Sequence, residues 1–317
     1  MKSAQACALL LWSSAFCQQP ALEVVSRIRL GELPEAIYRA SVCPGDLVLI
    51  TNDRGDVTIV DGRAGDIVYR ATLAELSGAV GNACDEGGRL YISASPGLVR
   101  VYTFSSGRQL IAERTLETQG SRNRLLAVNG QLYIVGLARV GTTHVFLRRF
   151  KLPEGVFLGS PRIELPIRVG DRFNLLATEG VLFWHAARKQ VVYLPANPLS
   201  FWRLDTDGSV TAVERPNLGG FVNVAAGSLE TALATYGQQD RVKGAAALPD
   251  GSVVVQAVTR SAGGVLQMFD RDFRPLASGI PLPAELGYLV GAGGDGALYF
   301  ADFAAGGSSL TKVRLLF

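Results

Sequence analysis

Histidine is almost missing from this chain: its 317 residues include His144 and His185 and no others. The two show no metal-ligand spacing, and both are read as loop or rim residues rather than as a catalytic base. No H-E-x-x-H, G-x-S-x-G or C-x-x-C stretch occurs. The helix-borne zinc hydrolase, the nucleophile-elbow hydrolase and the dithiol oxidoreductase therefore have no footing in the sequence. Charge is sparse as well. Charged residues make up 19% and the formal balance is +3, too little to imply a polyanionic partner by itself. A hydrophobic content of 48% is ample for a core and argues against disorder. No apolar run reaches the about 20 residues of a membrane helix, so no stable membrane insertion is expected.

The opening "MKSAQACALLLWSSAFCQQP" has a positive end at Lys2, a short apolar run from Ala6 to Trp12, and small residues before Cys17. Residues 1–17 are read as a signal peptide, and the product as secreted or periplasmic. Cys17 also raises lipidation, although Phe16 is large where a small residue is wanted. A chain sent along this route meets little nucleic acid, so none is expected as a partner.

What the sequence has in plenty is glycine, 36 residues, much of it in a repeated setting. "PGDLVLIT" carries Gly45, "GGRLYISA" Gly88, "NGQLYIVG" Gly130, "EGVLFWHA" Gly180, "DGSVVVQA" Gly251 and "DGALYFAD" Gly296. The intervals are 43, 42, 50, 71 and 45 residues. Each anchor follows a small or apolar stretch ("RASVC", "VGNAC", "RLLAV", "FNLLA", "GAAAL", "LVGAG"). The glycine then closes a tight turn into a second strand. Two more strands complete each unit, as in "DVTIVD" and "GRAGDIVYR". Four short antiparallel strands every ~40–45 residues is the period of a β-propeller blade. The fold class is all-β, a single six-bladed propeller over residues 18–317, expected as a monomer. "LEVVSRIRL" (22–30) supplies the outer strand of the last blade and removes two open edges. The long fourth interval is read as two insertions, at about 189–200 and 217–239.

"GAGGDG" (291–296) matches G-x-G-x-x-G, but a strand follows where a dinucleotide site needs a helix, so it is a hairpin turn. Cys43 and Cys84 lie at even offsets from Gly45 and Gly88, which puts both on the same face of their own repeats. Stacked sheets meet front to back, so the pair is read as two buried free thiols rather than a disulfide.

The recurring turn–"LY"–strand unit resembles the NHL-like and six-bladed β-propeller superfamily, including gluconolactonase-like propellers. That resemblance implies a divalent ion of calcium type in the central channel, held by a glutamate, two asparagines and an aspartate. Glu35, Asn123 and Asn174 take the first three places. The fourth is unfilled: Arg241 and Lys243 stand where the carboxylate is expected. This metal-dependent lactonase is the alternative reading.

The main expectation comes from the two faces of the disc. Turns joining strands one–two and three–four collect acids, among them Asp46, Asp85, Glu179, Asp250 and Asp295, and Asx-type turn chemistry accounts for them. The opposite face collects Arg122, Arg124, Arg172, Arg188, Lys189, Arg241 and Lys243, along with both insertions. Arg122, Arg124, Arg172, Arg241 and Lys243 are therefore expected to bind an anionic small molecule or an acidic protein surface, without catalysis and without a cofactor.

Overall fold

The computed structural model describes residues 20–317 apart from Ala79, Pro96, 164–178, 197–199, 213–240, 260–262 and 305–306. Residues 1–17, the 217–239 segment, Arg172 and Asn174 lie outside the described residues.

The described chain forms six four-stranded antiparallel sheets. Strand β1 (Ala21–Gly31) precedes the first blade, which is β2 (Tyr38–Val42), β3 (Leu47–Asn52), β4 (Asp56–Asp61) and β5 (Asp66–Thr72). The second blade is β6 (Asn82–Cys84), β7 (Arg89–Ala94), β8 (Leu98–Phe104) and β9 (Leu110–Glu117). The third is β10 (Arg124–Val128), β11 (Gln131–Val140), β12 (Thr143–Lys151) and β13 (Val156–Gly159). The fourth is β14 (Val181–His185), β15 (Gln190–Leu194), β16 (Trp202–Leu204) and β17 (Val210–Ala212). The fifth is β18 (Arg241–Ala247), β19 (Val253–Thr259), β20 (Gly263–Phe269) and β21 (Pro275–Pro281). The sixth runs β22 (Tyr288–Ala292), β23 (Leu298–Asp302) and β24 (Ser308–Leu316), and β1 adds its outer strand, with Ala21 opposite Leu316 and Gly31 opposite Ser308. The innermost strands neighbour one another around a ring, and β22 closes onto β2.

Alternation explains the packing. The second strand of each blade is largely buried on both faces, the outer strands are largely exposed, and a separate apolar cluster fills every seam between neighbours. Polar side chains bridge the seams where strand ends would leave backbone groups orphaned. Asn82 donates from Nδ2 to the Arg39 carbonyl at 3.0 Å and to Thr51 Oγ1 at 2.8 Å, tying the second blade to the first. Gln256 does the same between the fifth and sixth, donating to the Gly287 carbonyl at 2.7 Å and accepting from the Leu289 N–H at 2.6 Å. Arg148, fully buried, donates to the carbonyls of Thr118, Gln119 and Ser121, and burial pushes its guanidinium down to about 10.

Three readings need correction. The first is the register of the fourth blade. Residues 190–194 form its second strand, β15, so this part of the segment read as an insertion at 189–200 is regular blade. "VLFWH" is the inner strand, and its hairpin turns at Ala186–Lys189. Lys189 holds the left-handed conformation there (φ 52°), a role filled elsewhere by Gly45, Gly88, Gly130, Gly251 and Gly296. Glu179 therefore belongs to the face where inner strands begin. Arg188 and Lys189 belong to the hairpin-turn face, where Arg188 pairs with Asp272.

The second correction concerns the cysteines. Cys43 and Cys84 form a disulfide, with Cα atoms 5.3 Å apart. Stacked sheets lie ~10 Å apart over most of their area, but inner strands converge toward the axis and run side by side there. Face parity does not govern residues at that edge.

The third is His185, which is fully buried rather than at a rim. It sits in the seam between the fourth and fifth blades, 5.5 Å from the Phe273 ring centroid. Neither ring nitrogen has a hydrogen-bond partner of good geometry. Burial is the main reason its pKa falls below the ordinary 6.5, with the Arg188 charge adding to it and nearby backbone offsetting it only in part. The sign follows from linkage. As pH drops below 6.5 the unfolded chain binds a proton that the folded form refuses, so stability is lost on the acid side. Thermal melts between roughly pH 7 and pH 5 should show His185→Phe with a shallower fall in Tm than the parent. Parallel slopes for the two proteins would assign the acid sensitivity to other groups.

Candidate functional site

The starts of the six inner strands surround a narrow neck on the propeller axis, with a cavity of about 60 Å³. Arg39, Ser41, Asn82, Asn123, Arg124 and Lys243 bring the polar chemistry, and Leu125, Leu182 and Val290 fill the spaces between them. The ends of the same strands surround a wider vestibule of about 410 Å³, opening among the hairpin turns at Pro44–Asp46 and Gly293–Gly294.

Arg39 and Asn82 are neck residues that sequence reasoning missed. From the first blade the Arg39 side chain extends toward the third and fourth, with Nε 3.4 Å from the Asn123 carbonyl and Nη2 3.4 Å from Glu179 Oε2. Arg124, half-buried, lines the neck at the start of β10. The Arg124 and Arg39 charges both pull down the Tyr288 phenol, which burial nonetheless pushes up to about 12. Lys243 is accessible from the neck, and no ion pair or hydrogen bond of its ammonium occurs among the described residues. Protein surrounding it on several sides, and then the charge of Arg241, lower its pKa. Among the described residues, these cations outnumber the one carboxylate seen to pair with them, Glu179.

Of the other expected residues, Arg241 begins β18 next to the neck without lining it. Arg122 turns away: it is buried, donates to the Gly120 carbonyl at 2.7 Å, and burial lowers its pKa. The alternative metal set is not brought together by the described residues, and Asn174 lies outside them. Asn123 is in the neck, but Glu35 is exposed on the loop before β2 and does not line it. The oxygen donors that are present share the space with Arg39, Arg124 and Lys243, a hostile setting for a dication. Among the described residues no group of three or more His, Cys, Asp or Glu side chains could hold a metal ion.

The arrangement is a six-bladed β-propeller with a polar, cationic channel end and a wider end of mixed polar and apolar lining. No protein-family profile matches the chain, and no curated protein matches it in sequence. Among solved structures it is similar to a member of the DUF4221 family from Bacteroides vulgatus ATCC 8482. That likeness has 11% identity and a TM-score of 0.59, over 94% of this chain and 99% of that one. It is also similar to a structural-genomics protein of unknown function from Bacteroides thetaiotaomicron VPI-5482, with 13% identity and a TM-score of 0.52, over 93% of this chain and 77% of that one. At these identities the likeness carries the fold alone, and the NHL-like resemblance likewise stands at the level of the fold.

Proposed function

We propose that this propeller is a secreted or periplasmic binding protein that takes an anionic group at the neck of its channel. The observation that carries this reading is the convergence of Arg39, Arg124 and Lys243 on one small cavity, with Glu179 paired to Arg39 beside it. Charges held between low-dielectric walls attract an anion more strongly than the same charges on an open surface. Guanidinium groups add directional contacts to carboxylate, sulfate or phosphate. The compartment is supported by the Cys43–Cys84 disulfide and the leader-like first seventeen residues.

The test is calorimetric titration with acetate and with inorganic phosphate at fixed ionic strength. Lys243→Met and Arg124→Ser should each weaken anion binding by about tenfold or more, the worth of one charge-assisted contact. Glu179→Gln should strengthen it by releasing Arg39. An affinity unchanged in all three variants, or no binding of any anion by the parent, overturns the reading.

A further inference from the structure

We infer that the anion held at the neck is the head of a single-chain amphiphile, of the fatty carboxylate class, whose tail lies in the vestibule. The inference rests on the neck reading above. Neck and vestibule are adjacent along the same inner strands, and Ser41, Leu125, Leu182, Ala245 and Val290 border both. The neck, at about 60 Å³, holds only a few water-sized sites at ~10–15 Å³ each, enough for a carboxylate and too little for a sugar or a nucleotide. The vestibule, at about 410 Å³, falls in the usual range of small-molecule pockets, about 300–1,000 Å³.

The walls change character along this path. Leu126, Leu182, Trp184, Val290 and Ala292 are half-buried, packed against the seam clusters on one side and facing the vestibule on the other. Among the described residues lining it, Asp46 and Arg63 are the charged ones, and they pair with each other. Asp46 accepts from Arg63 Nε at 3.1 Å and from the Gly294 N–H at 3.0 Å. A hydroxyl or amide placed against these five side chains would lack a partner, which is costly. An alkyl chain has no such requirement and covers apolar surface that water otherwise touches. Cations at one end and this apolar stretch of wall at the other suit an anionic head joined to a hydrocarbon tail, with the head toward Lys243 and Arg124 and the tail along Leu126, Leu182 and Trp184.

The experiment titrates the full chain with acetate, hexanoate, octanoate and decanoate, all below micelle formation, and with 1-decanol. Affinity should rise about two- to fourfold per added methylene, as burial of a CH₂ group predicts. Decanol, which keeps the tail and loses the charge, should bind at least about tenfold more weakly than decanoate. A bromine-labelled decanoate should quench tryptophan fluorescence in the parent and lose most of that quenching in Trp184→Phe, where Trp202 still reports the folded state. Acetate and decanoate binding equally, both weakened by Lys243→Met, would overturn the tail and leave the neck reading standing. Decanol binding as well as decanoate, with Lys243→Met silent, would overturn the head and with it the neck reading.

Discussion

Removal of residues 22–30 is expected to give an aggregating protein that no longer melts in one cooperative step. The segment lies within β1, the outer strand of the sixth blade, and pairs with β24 along almost its whole length. Ile28 and Leu30 are buried in the seam between the sixth and first blades, and the Leu30 carbonyl accepts from Arg70 Nη2 at 2.6 Å. Burial of two such side chains is worth about 1.5–3 kcal/mol each, a large share of the net stability of any domain. The second effect is the larger one. Without β1, the nine residues of β24 become an open edge carrying Leu310, Val313 and Leu315, and a long apolar edge recruits strands from other molecules. The ring also loses the pairing that joins the two ends of the chain, so the sixth blade can separate from the first. Light scattering after size exclusion, together with a thermal melt, measures both consequences. A shortened chain with the parent's mass and a single transition at the parent's temperature would show that closure is held by the seams alone.

The blade count and the strand exchange were legible because both are local in the sequence. A hairpin turn needs a left-handed residue, glycine is the usual one, and Gly45, Gly88, Gly130, Gly251 and Gly296 all adopt that conformation. The fourth blade defeated the same logic because Lys189 holds the left-handed position without a glycine to announce it. "VLFWHA" and "VVYLPA" have the same apolar texture, so periodicity could not decide which was the inner strand. That one-strand slip placed Glu179 on the wrong face and hid the partner of Arg39.

The neck itself was only half legible. Lys243 and Arg124 could be found because they stand at or near inner-strand starts, in the fifth and third repeats. Arg39 sits in "YRASV", a stretch noticed for its small residues, and nothing local indicates that its side chain extends to the Asn123 carbonyl and Glu179. Such a contact exists only once the ring closes. Asn82 was missed for a similar reason: its partners Arg39, Ser41 and Thr51 lie in the preceding repeat, 31 to 43 residues away.

Loss of the Cys43–Cys84 bridge should produce the other large change, a fall in stability of about 4 kcal/mol. The bridge closes a loop with a sequence separation of 41, and the chain-entropy relation gives about that figure for the unfolded state it constrains. The two residues it joins end the innermost strands of adjacent blades, where Cys43 is buried and packs with Leu49, Leu76 and Ile92. Reduction therefore frees the seam at the channel wall, not at the rim, and both sulfur positions border the vestibule. For a chain of this size the loss corresponds to a drop in Tm of roughly 5–15 °C. Comparing melts with and without reductant, alongside the Cys43→Ala, Cys84→Ala double variant, separates the bridge from other effects of the reagent. The reduced parent and the double variant should melt together, and reductant should leave the variant unmoved. Peptide mapping after alkylation provides the chemical control, since Cys43 and Cys84 should take up label only after reduction. Labelling of both in protein recovered from an oxidising compartment, with a melting temperature indifferent to reductant, would restore the two-thiol reading and remove one of the two supports for export.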